Sequence, residues 1–380
     1  MRIAVIDAEI VGKSKHRFPN LCSMKISAFH KQNRDEVELK TDYDNLDAFD
    51  KVYISKVFTD TIVPDAVLKM KNVVYGGTGF FYDKAPALPY EIEHIMPDYH
   101  LYDKWVTDAI QNGYKRDEFK YYLDYSIGYL TRKCFRGCPF CVNQNYKKVE
   151  TASSLNEFMD KSRKKLCFLD DNFFGHPQWE QLIQPVIDSG ISFQFKQGLD
   201  ERILTEKKII ALSKWKYDGD YIFAFDNIAD KDLIVEKACL IRKHIKTKGQ
   251  NFKFYVLCAY DRNGMYDDTF WHDDIRDVFE RIFILSTYNF KPYIMRFEKY
   301  KSSPLYGTYV NIACWCNQPS LFKNMSYEQF CQKDDQRKSN GRKTSATWRY
   351  FEQMIEKYPD LTKYCDIIPK ETQLDYSSWQ

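Results

Sequence analysis

The sequence lacks several features that would place it in a specialised class of protein. Lys and Arg number 56 and Asp and Glu number 53, so the net charge is only +3, and no global charge draws the chain to nucleic acid or to a membrane surface. No apolar run approaches the ~18 residues of a membrane span. Met1 to Asp7 predicts a strand that leads to a carboxylate and lacks the flanks of a signal peptide. These absences predict a cytoplasmic protein without a membrane partner.

The chain also lacks a disulfide framework. Its 11 cysteines are an odd number without regular spacing, unlike the cysteines of small secreted domains. Aromatic residues are abundant, with 28 Tyr and 27 Phe, which argues against disorder. A length of 380 residues suggests two or three domains. We therefore expect a folded protein of a reducing compartment.

Three of the cysteines lie within one octet, spaced C-x-x-x-C-x-x-C. From Cys134 to Cys141 the octet is Cys-Phe-Arg-Gly-Cys-Pro-Phe-Cys. Three cysteinates can hold three irons of a [4Fe–4S] cube and leave the fourth iron open for a substrate or cofactor. Gly137 lets the backbone fold round a cluster, Pro139 stiffens the turn, and Phe140 can shield one face. The alternatives are a zinc knuckle and three buried thiols, although no second close cysteine pair follows at finger spacing.

The octet resembles the signature of the radical S-adenosylmethionine (SAM) enzymes, including the aromatic residue before the third cysteine. The resemblance implies that Cys134, Cys138 and Cys141 hold a [4Fe–4S] cluster and that SAM chelates its fourth iron. It also implies that a one-electron reductant, such as flavodoxin or ferredoxin, drives cleavage of SAM to methionine and a 5′-deoxyadenosyl radical, which abstracts hydrogen from a substrate. These enzymes carry the cluster loop after the first strand of a partial (β/α) barrel, and residues 127–131 before the octet are strand-like.

Strand-then-helix units repeat after the octet and predict a partial barrel of six parallel strands, the count that the resemblance implies. With the strand before the octet, the predicted strands are residues 127–131, 165–169, 192–195, 221–225, 254–259 and 293–297. Ligands of such barrels gather at the carboxyl ends of the strands. Polar residues at these ends are therefore candidates for binding the cofactor.

The candidate cofactor-binding residues are Phe140, Asp170, Asp171, Asn172, Gln197, Asp200, Arg202, Tyr260 and Met295. Asp170, Asp171 and Asn172 follow the second strand, where the family carries the motif that bonds the amino group of SAM. That motif is usually Gly-Gly-Glu, but carboxylates also accept hydrogen bonds from an ammonium group. The alternative is that the two aspartates cap the following helix.

The later strand ends carry weaker candidates. Gln197, Asp200 and Arg202 follow the third strand and suit the ribose and carboxylate of SAM, with a surface ion-pair network as the alternative. Tyr260 follows the fifth strand, which resembles the strand that contacts adenine, with Cys258 or Ala259 where a glycine is commoner. Met295 lies near the end of the sixth strand.

The first hundred residues alternate strands and helices and predict a small Rossmann-like open α/β sheet. Gly76-Gly77-Thr78-Gly79 follows a strand end, where such sheets bind ligands, so Gly76, Gly77, Thr78 and Gly79 form a candidate ligand loop. The Lys-Ser/Thr of a phosphate-binding P-loop is missing. A tight loop between domains is the alternative.

This stretch resembles the cobalamin-binding domain of many radical SAM enzymes, which uses Asp-x-His-x-x-Gly, Ser-x-Leu and Gly-Gly. The matching positions are Asp7-x-Glu9-x-x-Gly12, Ser55-x-Val57 and Gly76-Gly77. Glu9 stands where the cobalt-ligating histidine is expected, and His16 is out of register. A retained fold with lost or altered cofactor binding is the favoured interpretation, and cobalamin binding is left open.

The predicted layout has four segments: a Rossmann-like domain (1–100), a linker (101–125), the partial barrel (126–300) and a mainly helical segment that covers the substrate (301–380). In the last segment, Cys314, Cys316, Cys331 and Cys365 either form a second metal site or are ordinary thiols, which we favour. The charged stretch 333–343 is either a solvated loop or a contact with a phosphate backbone.

The predicted function is a radical SAM enzyme that abstracts hydrogen from an unidentified substrate: a nucleic-acid base, a metabolite, a peptide or a methyl acceptor. Alternatives within the superfamily are a cobalamin-dependent methyltransferase and a methylthiotransferase-like enzyme that modifies tRNA or another nucleic acid. The N-terminal domain lacks a convincing cysteine trio for the second cluster of a methylthiotransferase. The alternative of a different class is a non-enzymatic iron–sulfur or zinc binding module.

Overall fold

The computed structural model describes residues 1–246, 252–336 and 345–379. They form two compact units, Met1–Gln197 with Lys216–Asp218, and Gly198–Trp215 with Gly219–Gln380. The division falls inside the predicted barrel, after its third strand. The four-segment layout stays a prediction. Most of the charged stretch 333–343 lies outside the described residues.

The first unit begins with a four-stranded parallel sheet. Its strands are β1 (Arg2–Asp7), β2 (Glu36–Lys40), β3 (Lys51–Ser55) and β4 (Val73–Gly76), in the order β2-β1-β3-β4. β1 is buried on both faces, as parallel strands covered by two layers are. Ile3 and Val5 belong to one apolar cluster, and Ala4 and Ile6 to another. This sheet has the open parallel α/β form that the sequence predicts.

A second parallel sheet in the first unit carries the cysteine octet. Its strands β5 (Tyr125–Gly128), β8 (Lys165–Phe168) and β9 (Ser192–Phe195) pair in the order β5-β8-β9. Between β5 and β8, the short strands β6 (Thr131–Arg132) and β7 (Glu150–Thr151) form an antiparallel pair. The octet lies in the loop between β6 and β7.

Seven α-helices belong to the first unit. They are α1 (Leu21–Gln32), α2 (Asp65–Leu68), α3 (Thr78–Phe81), α4 (Tyr90–Glu93), α5 (Asp103–Gln111), α6 (Lys120–Leu123) and α7 (Trp179–Asp188). α1 begins where its cap allows, because the Asn20 side chain accepts a hydrogen bond from the Ser23 N–H. Pro185 lies inside α7.

The second unit contains the other three-stranded parallel sheet. Its strands are β10 (Tyr221–Ala224), β11 (Phe252–Cys258) and β12 (Lys291–Arg296), in that order. Its helices in the described residues are α8 (Glu206–Lys214), α9 (Lys231–His244), α10 (Asp268–Thr287), α11 (Tyr306–Cys316), α12 (Pro319–Phe322), α13 (Tyr327–Gln336) and α14 (Ala346–Lys357). The buried Arg281 guanidinium donates 2.9 Å hydrogen bonds to the carbonyl oxygens of Phe225 and Leu257, which ties the ends of β10 and β11 together.

The parallel α/β architecture is therefore confirmed, while the single six-stranded barrel stays a prediction. Each of the six expected strands has a counterpart, but three belong to each unit. The segment after residue 300 contains helices α11 to α14, as predicted. Within the described ranges, we find no helix with the length and apolar character needed to cross a membrane.

Candidate functional site

The two ends of the loop that carries the three cysteines are joined by the paired strands β6 and β7. Thr131 pairs with Thr151 and Arg132 with Glu150, and Lys133 Nζ lies 2.7 Å from Glu150 Oε2. Cys134, Cys138 and Cys141 are all half-buried and none forms a disulfide. A pinned loop with three accessible thiols is a suitable holder for a metal cluster.

Inside the loop, the backbone bends through left-handed conformations. Gly137 has a φ of +60° and Lys133, directly before the first cysteine, has a φ of +73°. The Cys141 N–H donates a 2.9 Å hydrogen bond to the Cys138 carbonyl oxygen. The role predicted for Gly137 agrees with this geometry, since glycine adopts such a φ without the penalty that a Cβ brings.

N–H donors lie beside the sulfurs of Cys141 and Cys134. The Asn143 backbone N–H lies 3.4 Å from Cys141 Sγ, and Asn172 Nδ2 lies 3.4 Å from Cys134 Sγ. Burial raises the pKa of Cys141, and the nearby Cys138, Asp171 and Cys134 raise it further. Bound metal would have to displace the thiol protons, and N–H donors would stabilise the resulting thiolates.

Asp171 contacts the cysteine loop, and Asp170 contacts the chain that leads into it. The buried Asp170 carboxylate accepts hydrogen bonds from the Leu130 N–H at 2.9 Å, the Thr131 N–H at 3.0 Å and the Thr131 hydroxyl at 3.1 Å. Asp171 accepts from the Lys133 N–H at 2.7 Å and from Asn143 Nδ2 at 2.8 Å. Burial raises the pKa of Asp170 to about 8. The bonds of Asp170 run back to Leu130 and β6, and those of Asp171 run back to the loop, rather than forward to the next helix. The SAM contact stays a prediction.

The residues present fit a [4Fe–4S] cube. Among the described residues, no three His, Cys, Asp or Glu side chains converge as ligands of one metal ion. A cube binds each cysteinate through a different iron, so its ligands need not converge. Three half-buried thiols, with N–H groups aimed at two of their sulfurs, match that donor set.

Two aromatic residues of the octet, Phe135 and Phe140, contact residues that lie outside the octet. The Phe140 carbonyl oxygen accepts a 2.9 Å hydrogen bond from the Tyr82 hydroxyl. Tyr82 has a φ of +48°, a strained conformation for a bulky residue. The Phe135 ring packs on Gly175, where an added Cβ would lie 2.7 Å from it. The shielding role predicted for Phe140 is not tested by these contacts.

The remaining cofactor candidates fall in both units. Gln197 is exposed at the end of the first unit, and Asp200, Arg202, Tyr260 and Met295 belong to the second. Arg202 Nε lies 2.9 Å from Oδ1 of the buried Asp200. Tyr260 packs edge-on against Phe297 with ring centroids 5.0 Å apart, and Met295 is exposed. Their contacts with SAM stay predictions.

Glu201 lies near these candidates and was not singled out from the sequence. The Glu201 side chain is buried, its Oε2 accepts a 3.1 Å hydrogen bond from the Ala224 N–H, and its Oε1 accepts none from the described residues. Burial raises the pKa of Glu201 to about 8. Ala259 has a φ of +59°, a conformation that favours the glycine commoner at this position. Its N–H donates a 2.8 Å hydrogen bond to the Asp274 carboxylate. The run of three charged residues from Asp200 to Arg202 was the sequence signal for Glu201.

The glycines of the candidate ligand loop have different roles. Gly77 has a φ of +107°, and a Cβ there would lie 2.2 Å from the Lys56 carbonyl oxygen; a Cβ on Gly79 would lie 2.7 Å from the Phe58 carbonyl oxygen. The Thr78 hydroxyl donates a 3.0 Å hydrogen bond to the Val57 carbonyl oxygen. A Cβ added to Gly76 would meet no atom within 4 Å. Residues 77–79 therefore pack on their own chain, and only Gly76 faces open space.

Glu9 stands at the position of the expected histidine and is hydrogen-bonded to the 57–61 loop. Its buried carboxylate accepts hydrogen bonds from the Val57 N–H at 3.0 Å, the Phe58 N–H at 3.1 Å and the Thr61 hydroxyl at 2.7 Å. His16 Nδ1 lies 2.8 Å from the Phe18 carbonyl oxygen. Glu9 therefore has a structural use that does not require a cobalt ion.

Beside this loop lies a cluster of aromatic rings at the carboxyl end of β4. Tyr75 stacks on Phe81 with ring centroids 5.8 Å apart and planes 3° from parallel, and Phe80 lies 4.9 Å from Tyr75. Tyr75 and Phe81 are 36% and 37% exposed, so a flat apolar surface faces solvent.

The C-terminal cysteines have the environment of ordinary thiols. Cys316 and Cys365 are buried, and their sulfurs lie 3.6 Å and 3.5 Å from the carbonyl oxygens of Pro292 and Leu361. Cys331 is also buried, whereas Cys314 is exposed. Burial raises the pKa of Cys365 to about 12.

No protein-family model and no curated protein matches this chain. Among solved structures, it is similar to the radical S-adenosylmethionine methyltransferase TsrM from Kitasatospora setae with cobalamin and a [4Fe–4S] cluster bound, with a TM-score of 0.49, 10% identity, and coverage of 78% of this chain and 74% of that one. It is also similar to the cobalamin-dependent S-adenosylmethionine radical enzyme OxsB with aqua-cobalamin bound, with a TM-score of 0.45, 11% identity, and coverage of 82% and 55%.

Proposed function

We propose that this chain is a radical SAM enzyme whose [4Fe–4S] cluster is held by Cys134, Cys138 and Cys141. The observation that carries the proposal is the loop between β6 and β7, which presents three half-buried thiols and supplies an N–H donor to Cys141 Sγ, while Asn172 donates to Cys134 Sγ. No fourth cysteine lies between β6 and β7, which would leave one iron open for SAM.

When bound, the reduced cluster and SAM would supply methionine and a 5′-deoxyadenosyl radical, which we propose abstracts hydrogen from an unidentified substrate. The chain's own part is to hold the loop and to limit access of water. The β6–β7 pair joins the two ends of the loop, and the Phe135 ring covers Gly175 beside Asn172. Keeping water away from a reactive radical prevents side reactions.

We propose a one-electron carrier with an acidic surface, such as flavodoxin or ferredoxin, as the reductant. Between Arg132 and Val149 the loop has five basic residues and no Asp or Glu: Arg132, Lys133, Arg136, Lys147 and Lys148. Glu93 pairs with Arg132, and Glu150 pairs with Lys133 and Lys148. The loop itself contributes only positive charge. Such a surface steers an acidic partner toward the loop.

Anaerobic reconstitution with iron and sulfide tests the proposal. We expect about four irons per chain, as one cube requires, and formation of 5′-deoxyadenosine that depends on SAM and a reductant. The measurements are iron and sulfide analysis and chromatography of the products. One zinc per chain with no SAM cleavage would favour the zinc-binding module and contradict the proposal.

A second candidate function, cobalamin-dependent methyl transfer, is favoured by the exposed rings of Tyr75 and Phe81 beside the open space at Gly76. They lie at the carboxyl end of β4, the side of a parallel sheet where ligands bind. Glu9 replaces the expected histidine and is held by the 57–61 loop. Cobalamin would therefore bind here without an imidazole at position 9.

This candidate predicts that hydroxocobalamin leaves a corrin spectrum on the protein after desalting, and that Phe81→Ala weakens the retention several-fold by removing the stacked ring. Tyr90→Ala is the matched control, because Tyr90 is 76% exposed and packs on His94 instead. A desalted wild-type protein without corrin absorbance would rule out this second function.

A further inference from the structure

We infer that Asp170, Asp171 and Asn172 form a brace that fixes the cysteine loop and sets the reduction potential of the cluster. The inference rests on the proposed function for the cluster itself. Asp170 and Asp171 bond the chain on either side of the octet, and Asn172 bonds Cys134 Sγ, so all three are positioning residues.

Asp170 anchors the chain where it enters the loop. Its carboxylate accepts three hydrogen bonds from Leu130 and Thr131, the residues that lead from β5 into β6. The side chain is fully buried, and hydrogen bonds shielded from water hold their geometry tightly. The start of the loop is therefore fixed relative to β8, the strand that Asp170 follows.

Asp171 joins the two sides of the octet. One carboxylate oxygen accepts from the N–H of Lys133, the residue before Cys134, and the other accepts from the side chain of Asn143, two residues after Cys141. The bond to Lys133 offsets the cost of its left-handed backbone, at a φ of +73°. The bond to Asn143 orients a residue whose own N–H points at Cys141 Sγ.

Asn172 reaches a sulfur directly, with Nδ2 at 3.4 Å from Cys134 Sγ. Hydrogen bonds to the sulfurs are among the factors that set the potential of an iron–sulfur cluster. An N–H donor stabilises the more negative, reduced cluster more than the oxidised one. Removal of this donor should therefore make the cluster harder to reduce.

The test is an EPR-monitored redox titration of the reconstituted Asn172→Ala protein without SAM. We expect full iron content and a midpoint shifted to lower potential, with the ratio of reduced to oxidised cluster at a fixed potential lowered about three- to tenfold, where tenfold is about 59 mV for one electron. Asn145→Ala is the matched control: Asn145 lies in the same loop, but its side chain donates to Asp83 at 2.6 Å. Its midpoint should equal that of the wild type.

A second experiment measures hydrogen exchange of the apoprotein, so that the result does not depend on a cluster. Asp171→Asn should speed hydrogen exchange of the Lys133 amide about tenfold or more, because its acceptor is weakened, while Asp83→Asn should leave that amide unchanged. Asn172→Leu also removes the N–H donor while keeping most of the side-chain volume, and it replaces Asn172→Ala, with the same expected midpoint shift, if the latter does not fold.

The outcomes separate the two proposals. A wild-type protein that takes up no iron contradicts the proposed function, whereas hydrogen exchange of the apoprotein still tests the brace. Full iron in Asn172→Ala with an unchanged midpoint overturns the tuning role. Iron loss in Asn172→Ala supports the brace if exchange of the 133–149 loop is also faster, and overturns it if that exchange is unchanged.

Discussion

Replacing Cys138 by alanine is expected to abolish the brown absorbance of the reconstituted protein and to reduce its iron from about four per chain to less than one. Cys138 is the middle of the three thiols, and its loss leaves only two cysteinates in the loop. Two ligands on one short loop leave two irons of a cube without protein ligands. The measurements are the visible spectrum, iron and sulfide analysis, and the EPR signal of the reduced protein.

Cys314→Ala is the matched control for this change. Cys314 is an exposed thiol of α11, outside the cysteine loop, and its removal should leave iron content and spectrum as in the wild type. An intact spectrum in Cys138→Ala would refute the assignment of the ligands. Loss of iron in Cys314→Ala would instead point to a metal site in the C-terminal segment, which the burial of Cys316, Cys331 and Cys365 does not favour.

Gly77→Ala is expected to lower the free energy of unfolding by about 3 kcal/mol or more. The added Cβ would lie 2.2 Å from the Lys56 carbonyl oxygen, in a backbone with a φ of +107°. The obstacle is backbone at the end of β3, so a side-chain rotation cannot relieve it. The loop would have to move, and with it the contacts of residues 77–79 with residues 56–58.

Gly76→Ala tests the same change one residue earlier, where a Cβ meets nothing within 4 Å. We expect it to alter the free energy of unfolding by less than about 1 kcal/mol. Urea midpoints followed by fluorescence compare the two variants with the wild type. Equal midpoints for the two alanine variants would show that the close approach at Gly77 does not constrain the loop.

The strands were predicted well because they are short apolar runs with clear ends. The prediction for residues 192–195 matches β9, which stands between Gly190 and the polar Lys196 and Gln197. The start of α10, by contrast, lies in an aromatic-rich stretch that begins at Asp268. Asp267 caps it by accepting the Phe270 N–H, and Trp271 lies buried in its first turns. An aromatic-rich helix start resembles a loop until tertiary packing buries its rings.

The candidate site divides in the same way between local and long-range information. The spacing from Cys134 to Cys141 lies within one octet, so the sequence by itself determined that three thiols share one short segment. Asp170, Asp171 and Asn172 were recognisable as polar residues at a strand end, but not as partners of the loop. Those partners depend on the pairing of β5 with β8, which brings residues nearly forty positions apart into contact.

Only the tertiary structure decided how Glu9 and the glycine loop are used. Glu9 could have been a degenerate ligand, yet its carboxylate is bonded to the 57–61 loop. Gly77 could have faced a ligand, yet it lies against Lys56. The physical reason is that residue type and spacing fix which groups a segment offers, whereas the order of strands in a sheet fixes which groups meet. That order is a property of the whole fold.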